Sequence, residues 1–186
     1  MNRLKKAKSN IGKSFTEFAN EGFKKIFEQI DQLGIKSGVD KMGLDKFINQ
    51  CALFAAGSGA ISGSGGAITM AVGMPLDLIN LITQQFRATM AITYYYKGSY
   101  KINFDEFIDI LGRSLKVDAG VTVTKSVLEG IAEKLMVNIG SRTAEMLVPV
   151  AGAIIGGTAN YLFIKRMSES VKKMQPQYFT ESAPIV

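Results

Sequence analysis

Large apolar residues recur at helical spacing along most of the chain. Phe15, Phe18, Phe23, Ile26, Phe27 and Ile30 share one face, opposite Glu17, Glu21, Lys24, Lys25 and Glu28, the stripe of an amphipathic helix. Leu33-Gly34 and Ser37-Gly38 read as stop and turn signals, followed by a short helix over Leu44–Phe54. Pro75 sits where the first turn of a helix should be, since its missing N–H costs nothing there. That helix runs to Tyr96, and Lys97-Gly98 closes it with a glycine cap. Asn103 with Glu106 three residues on forms a capping box for a helix over Phe104–Lys116, with Phe107, Ile108, Leu111 and Leu115 as its apolar face. A longer helix follows over 120–139, with Val121, Val127, Leu128, Ile131 and Leu135 on one side. There is no sustained period-two alternation and no fixed repeat. The predicted fold is all-α, a compact multi-helix bundle. Its expected organisation is a basic amphipathic N-terminal region (1–50), a helical core (51–174) and a loose tail from Gln175 that contains Pro176 and Pro184.

Two stretches break the pattern. From Phe47 to Leu76, and again from Met146 to Ile164, no residue is charged. The first carries Gly59, Gly63, Ala67 and Ala71 at intervals of four. The second carries Gly152 and Gly156, beside Ala153 and Gly157. Residues four apart share a helix face, so both stretches could offer a smooth groove to another backbone, as small-xxx-small segments do in membrane helices. Each glycine costs about 1 kcal/mol of helix propensity relative to alanine. Gly57, Gly59, Gly63, Gly65 and Gly66 therefore demand tight packing, an apolar medium or a loop. Three arrangements stay open: a bilayer-spanning hairpin, peripheral or partly inserted helices, and a soluble core pair. The first stretch is sparse in large apolar residues. The second contains Pro149 and is near the lower length limit of about 17 residues for a span. Basic residues on both flanks follow the positive-inside tendency, yet Arg87, Lys97, Lys101, Arg113, Lys116, Lys125, Lys134 and Arg142 fill the stretch between.

Composition narrows the function classes. A length of 186 residues fits one domain, and 47% hydrophobic with 20% charged residues can build a core. The formal net charge is +6, which favours an anionic partner. Arg3, Lys5, Lys6, Lys8 and Lys13 precede any acidic residue, a leader suited to an anionic membrane surface. The basic residues are otherwise dispersed, and no nucleic-acid-reading motif accompanies them. The absence of histidine rules out Ser-His-Asp and Cys-His catalysis, HExxH zinc sites and His-ligated haem within this chain. No catalytic constellation, cofactor motif or metal-ligand cluster takes their place. Cys51 is the single cysteine, so no internal disulfide forms, and it reads as a packing residue. The N-terminus lacks the smooth apolar stretch of a secretory signal. The cytosolic side of a membrane is the expected location, with the cytoplasm as the alternative.

After Pro75, Asp77, Asn80, Gln84 and Arg87 follow intervals of three, four and three and line one helix face. Two readings stand: an ordinary solvent face, or a polar seam towards a cavity or headgroup layer in which Arg87 offers a planar phosphate donor. Residues 7–14, AKSNIGKS, mimic a Walker A loop with alanine for the first glycine. No buried strand precedes them, and a phosphate cradle needs one.

Gly63–Asp77, GSGGAITMAVGMPLD, with the helix to Tyr96, resembles the glycine-rich, P-x-D-bearing core of the EcsC family. Arg142–Tyr161, RTAEMLVPVAGAIIGGTANY, resembles that family's second block, VPV-x-GA-x-x-GG followed by N-Y. The two blocks stand in the family's order across Leu53–Lys172. The resemblance implies a bacterial helical protein associated with membranes or an ABC-transporter operon. A protease-like label attached to some members finds no nucleophile–base pair here. The expected function is therefore non-enzymatic: a membrane-associated helical protein that binds lipid or a membrane or transport partner. The alternative is a soluble helical module that binds a partner protein or a hydrophobic ligand, and a hydrolase is a remote third reading.

Overall fold

A computed structural model describes residues 18–30, 34–57, 76–99, 101–117, 123–140 and 152–181; of 76–77, 136, 138–140, 152–156 and 175–181 it describes the backbone alone. The described residues form seven helices and no strand: α1 (18–28), α2 (Ile35–Met42), α3 (Leu44–Ala56), α4 (Leu76–Lys97), α5 (Phe104–Ser114), α6 (Lys125–Gly140) and α7 (Gly152–Glu181). The protein is an all-α bundle.

The apolar stripes find one another as the sequence pattern requires. On α1, Phe18, Phe23 and Ile26 are buried, with Ile30 just beyond its end, while Glu21, Lys24, Lys25 and Glu28 face out. An aromatic chain then runs inward: Phe23 meets Phe86 edge-on at 5.4 Å, Phe86 meets Phe107 at 4.8 Å, and Phe107 meets Phe27 at 5.1 Å. Three helices from distant parts of the sequence are tied by rings in tilted geometries, which aromatic quadrupoles favour. The hydrophobic core is continuous from Phe18 to Val171, and α3 itself runs across residue 50.

Local signals explain most helix ends. Asn103 Oδ1 accepts from Glu106 N at 2.8 Å and starts α5. Gly98, at φ +68°, ends α4 by donating to Tyr94 O. The end of α5 comes at Ser114, two residues short of Lys116, which takes a left-handed φ of 58°. Two expectations need correction. Ser37-Gly38 is not a turn, because both residues lie inside α2. The break falls at Gly43, φ +82°. Gly38 is there for packing, since a Cβ would lie 2.5 Å from the Phe47 ring, and the α2–α3 hairpin closes over that gap. Likewise α7 continues past Gln175 and Pro176 to Glu181, where a loose tail was expected. Pro176 removes one backbone donor and crowds the preceding turn, which weakens the helix there, yet α7 runs on past it.

The directions of the central helices follow from their contacts. As α3 ascends through Asp45, Asn49 and Ala55, its partners on α7 descend through Lys172, Lys165 and Asn160. Phe54 meets Asn80, and Phe47 lies under Arg87. So α3 is antiparallel to both α4 and α7, and those two run parallel. The C-terminus of α3 and the N-termini of α4 and α7 consequently share one end of the bundle. No helix among the described residues is long and apolar enough to cross a membrane. The second charge-free stretch feeds into α7, which carries Lys165, Arg166, Glu169 and Lys172 onward.

Candidate functional site

The shared end is where the sequence is least helix-like and where its polar side chains gather. A helix leaves its last four carbonyls without intrahelical donors, and three of those of α3 accept from three different partners. Leu53 O accepts from Gly57 N at 3.0 Å. Phe54 O accepts from Asn80 Nδ2 of α4 at 2.7 Å. Ala55 O accepts from Asn160 Nδ2 of α7 at 3.0 Å. Ala56 O faces Gly157 of α7 so closely that a methyl group there would sit 2.9 Å from it. The C-terminus of α3 is thus capped from both flanking helices, by amide side chains that supply donors where the helix dipole leaves partial negative charge.

From Asn80 the polar contacts continue down α4. Gln84 Nε2 donates to Asn80 Oδ1 at 3.1 Å, and Arg87 Nη1 donates to Gln84 Oε1 at 2.8 Å. Asn80, Gln84 and Arg87 are all buried. The guanidinium carbon of Arg87 lies 5.1 Å from the Phe47 ring centre and 5.8 Å from that of Phe54, an arrangement that stabilises a planar cation with little water around it. The stripe from Asn80 to Arg87 therefore faces α3, and the solvent-face reading of these three residues does not hold. The pattern showed that they share a face but could not show which way it points. Asp77 lies on α4, with its side chain outside the described residues.

Cys51 is fully buried on α3. Burial pushes its thiol up to about 12, against a weaker opposing pull from the Arg87 charge. A thiol held in that state is not a nucleophile at neutral pH.

The outer edge of the α3–α7 pair is polar and exposed. Asn49 Oδ1 accepts from Tyr161 Oη at 3.3 Å and from Lys165 Nζ at 2.9 Å. Lys172 Nζ bridges Asp45 at 2.8 Å and Glu169 at 3.2 Å. Its hydrogen bond to Lys172 holds the Asp45 carboxyl below the ordinary aspartate range. Elsewhere, a cleft of about 390 Å³ lies between α1, α4 and the segment before α5, lined by Phe27, Ile30, Met90 and Ile102, with Glu28, Lys101 and Asn103 at its polar side.

Several predicted positions lie outside the described residues: Gly59, Gly63, Ala67 and Ala71, the leader residues Arg3, Lys5, Lys6, Lys8 and Lys13, and the Walker-like stretch 7–14. Gly152 and Gly156 belong to the first turns of α7, with surroundings outside the described residues. The close approach that is described involves their neighbour Gly157. The sequence reading reached Gly157 only as a neighbour of Gly156 and Asn160 only within the family-like block, and Asn49 escaped it. One signal was available for Asn160, an amide in a run otherwise built of apolar and small residues. Among the described residues no group of three or more Cys, Asp or Glu is placed to hold a metal ion. The amides and guanidinium here bond to one another and to α3 carbonyls, which is the chemistry of a clamp. Comparison with protein families, curated proteins and solved structures yields no match.

Proposed function

We propose that this chain is a non-enzymatic, membrane-associated helical protein that engages an anionic membrane surface and acts through lipid or a membrane-bound partner. The observation that carries this reading is the convergence at one end of the bundle. The chain leaves α3 at Ala56, re-enters at Leu76 and enters α7 at Gly152, and these three points lie within the two charge-free stretches or at the end of one. Both uncharged, small-residue stretches thereby adjoin the same pole, with a five-cation leader on the same chain. Attachment would be peripheral or partly inserted, at the cytosolic face. The EcsC resemblance points the same way, and membership of that family is part of the proposal.

Sedimentation of the purified chain with vesicles tests it. Binding to vesicles of phosphatidylcholine and phosphatidylglycerol at low salt, weakened by salt and weak on pure phosphatidylcholine, is the expected result. No binding to anionic vesicles would sink the reading.

A second reading rests on the cleft beside Phe27, Ile30, Met90 and Ile102, which has the apolar lining of a site for a small hydrophobic ligand. It predicts that Met90→Trp abolishes uptake of a fluorescent fatty-acid probe, and absence of uptake by the parent chain would remove it.

A further inference from the structure

The proposed function leaves open which face of the bundle meets the lipid. Leu53 is 61% exposed and Leu162 40% exposed. A single exposed leucine means little, but the register of α3 against α7 groups these two. Leu53 lies one turn beyond Asn49 on the same face of α3, towards the shared end, and Asn49 touches Tyr161 and Lys165. On α7, Leu162 follows Tyr161 directly and lies one turn above Arg166. Leu53, Tyr161 and Leu162 thus stand at one level along the outer α3–α7 edge, at the end where the charge-free stretches join the bundle.

One turn further from that end the same edge is basic. Lys165 is half-buried and Arg166 solvent-facing, and no carboxylate among the described residues forms an ion pair with either. The acidic residues of the edge, Asp45 and Glu169, lie lower still, where Lys172 bridges both. Apolar and aromatic groups at the tip with a cationic collar one turn, about 5.4 Å, below match the layering of an anionic bilayer. Acyl chains lie innermost there, with phosphates above them.

We propose that this α3–α7 edge, with Leu53, Tyr161 and Leu162 entering the bilayer and Lys165 and Arg166 at the phosphates, is the membrane-docking surface of the protein. The proposal rests on the membrane reading above. Each basic residue near an anionic surface contributes about fivefold in affinity. The test uses the full chain with vesicles of phosphatidylcholine containing phosphatidylglycerol. Leu53→Ser with Leu162→Ser should weaken binding about tenfold or more, and Lys165→Gln with Arg166→Gln should do so on anionic vesicles alone. Failure of the parent chain to bind would overturn the underlying reading. A parent that binds while both double variants bind within twofold of it would overturn this surface and leave the membrane reading intact. If the leucine variant binds lipid normally but converts a dimeric parent into a monomer, the edge belongs to a second copy and the proposal is wrong. A measurement that does not depend on lost binding uses an environment-sensitive fluorophore on Leu162→Cys, with buried Cys51 unlabelled. A blue shift on anionic vesicles is expected there and not for a label on Lys41→Cys of α2. Equal responses at the two positions would also refute it.

Discussion

Asn80 and Asn160, on different helices, donate to successive carbonyls of a third, Phe54 O and Ala55 O. They fasten α4 and α7 to the end of α3 at the point where the chain departs into its glycine-rich stretch. An amide at that place does what a C-terminal cap does within one helix, and here it also fixes the relative height of three helices.

Removal of either donor should therefore cost more than its own hydrogen bond. A buried carbonyl left without a donor costs about 1–3 kcal/mol. Asn160→Ala should lose stability in that range in urea unfolding. Asn160→Asp should lose more, because a carboxylate would then face the negative end of α3. Equal stability of Asn160→Ala and the parent would show that the clamp is not needed.

Arg87 should be coupled to Gln84 and replaceable by no other cation. Lysine keeps the charge but loses the planar fork that donates to Gln84 and stacks near Phe47 and Phe54. Arg87→Lys should destabilise by about 1–3 kcal/mol. A double-mutant cycle with Gln84→Ala should return an interaction of about 0.5–3 kcal/mol, and additive losses would refute the coupling.

These residues also mark how far the sequence could be read. The intervals from Asp77 to Arg87 placed Asn80, Gln84 and Arg87 on one face, and the structure keeps them together. Which side that face takes depends on α3, and a periodicity has no knowledge of its neighbour. Helix ends governed by adjacent residues, such as Asn103 and Gly98, were legible because their partners lie within four positions. Gly38 was misread because a glycine that admits the Phe47 ring looks, in sequence, like one that turns the chain. Asn160 and Gly157 act on α3 across about a hundred residues of sequence, and a small or amide residue in a local run does not say which distant helix it meets.

Stability should be nearly flat between about pH 5 and pH 8, since no histidine titrates there. Above that window Cys51 should matter. Its folded thiol is raised to about 12, so the unfolded chain ionises first and the contribution of the buried thiol is lost as pH rises from about 8.5 towards 12. Below the window the sign reverses for Asp45, whose lowered folded value makes its small, solvent-screened contribution disappear as pH falls below the ordinary aspartate range. Urea unfolding from pH 7 to 10.5 should show a steeper alkaline loss, by about 1 kcal/mol per pH unit, in the parent than in Cys51→Ala. Parallel curves would mean that the thiol is not shielded.

Two helical glycines with different surroundings, Gly130 and Gly157, give the sharpest test of close packing. In an exposed helix, alanine for glycine gains up to about 1 kcal/mol. Gly130 of α6 is half-buried but has room for a methyl group: a Cβ there would lie 3.4 Å from Val117 Cγ1, the end of a side chain in ordinary contact. Gly157 of α7 has no such room, because its Cβ would lie 2.9 Å from Ala56 O, a backbone atom, and 3.8 Å from Ala56 Cβ. Relief would require α7 to move away from α3, which would stretch the Asn160 bond to Ala55 O one turn along. Overpacking of this kind costs about 1–3 kcal/mol, enough to outweigh the propensity gain. Gly157→Ala should thus lower the thermal midpoint while Gly130→Ala leaves it unchanged or raises it. Because Gly157→Ala also raises helix propensity and apolar content, a helix held only by greasiness would become more stable. A higher midpoint for both variants would mean that α3 and α7 do not meet backbone to backbone at this end.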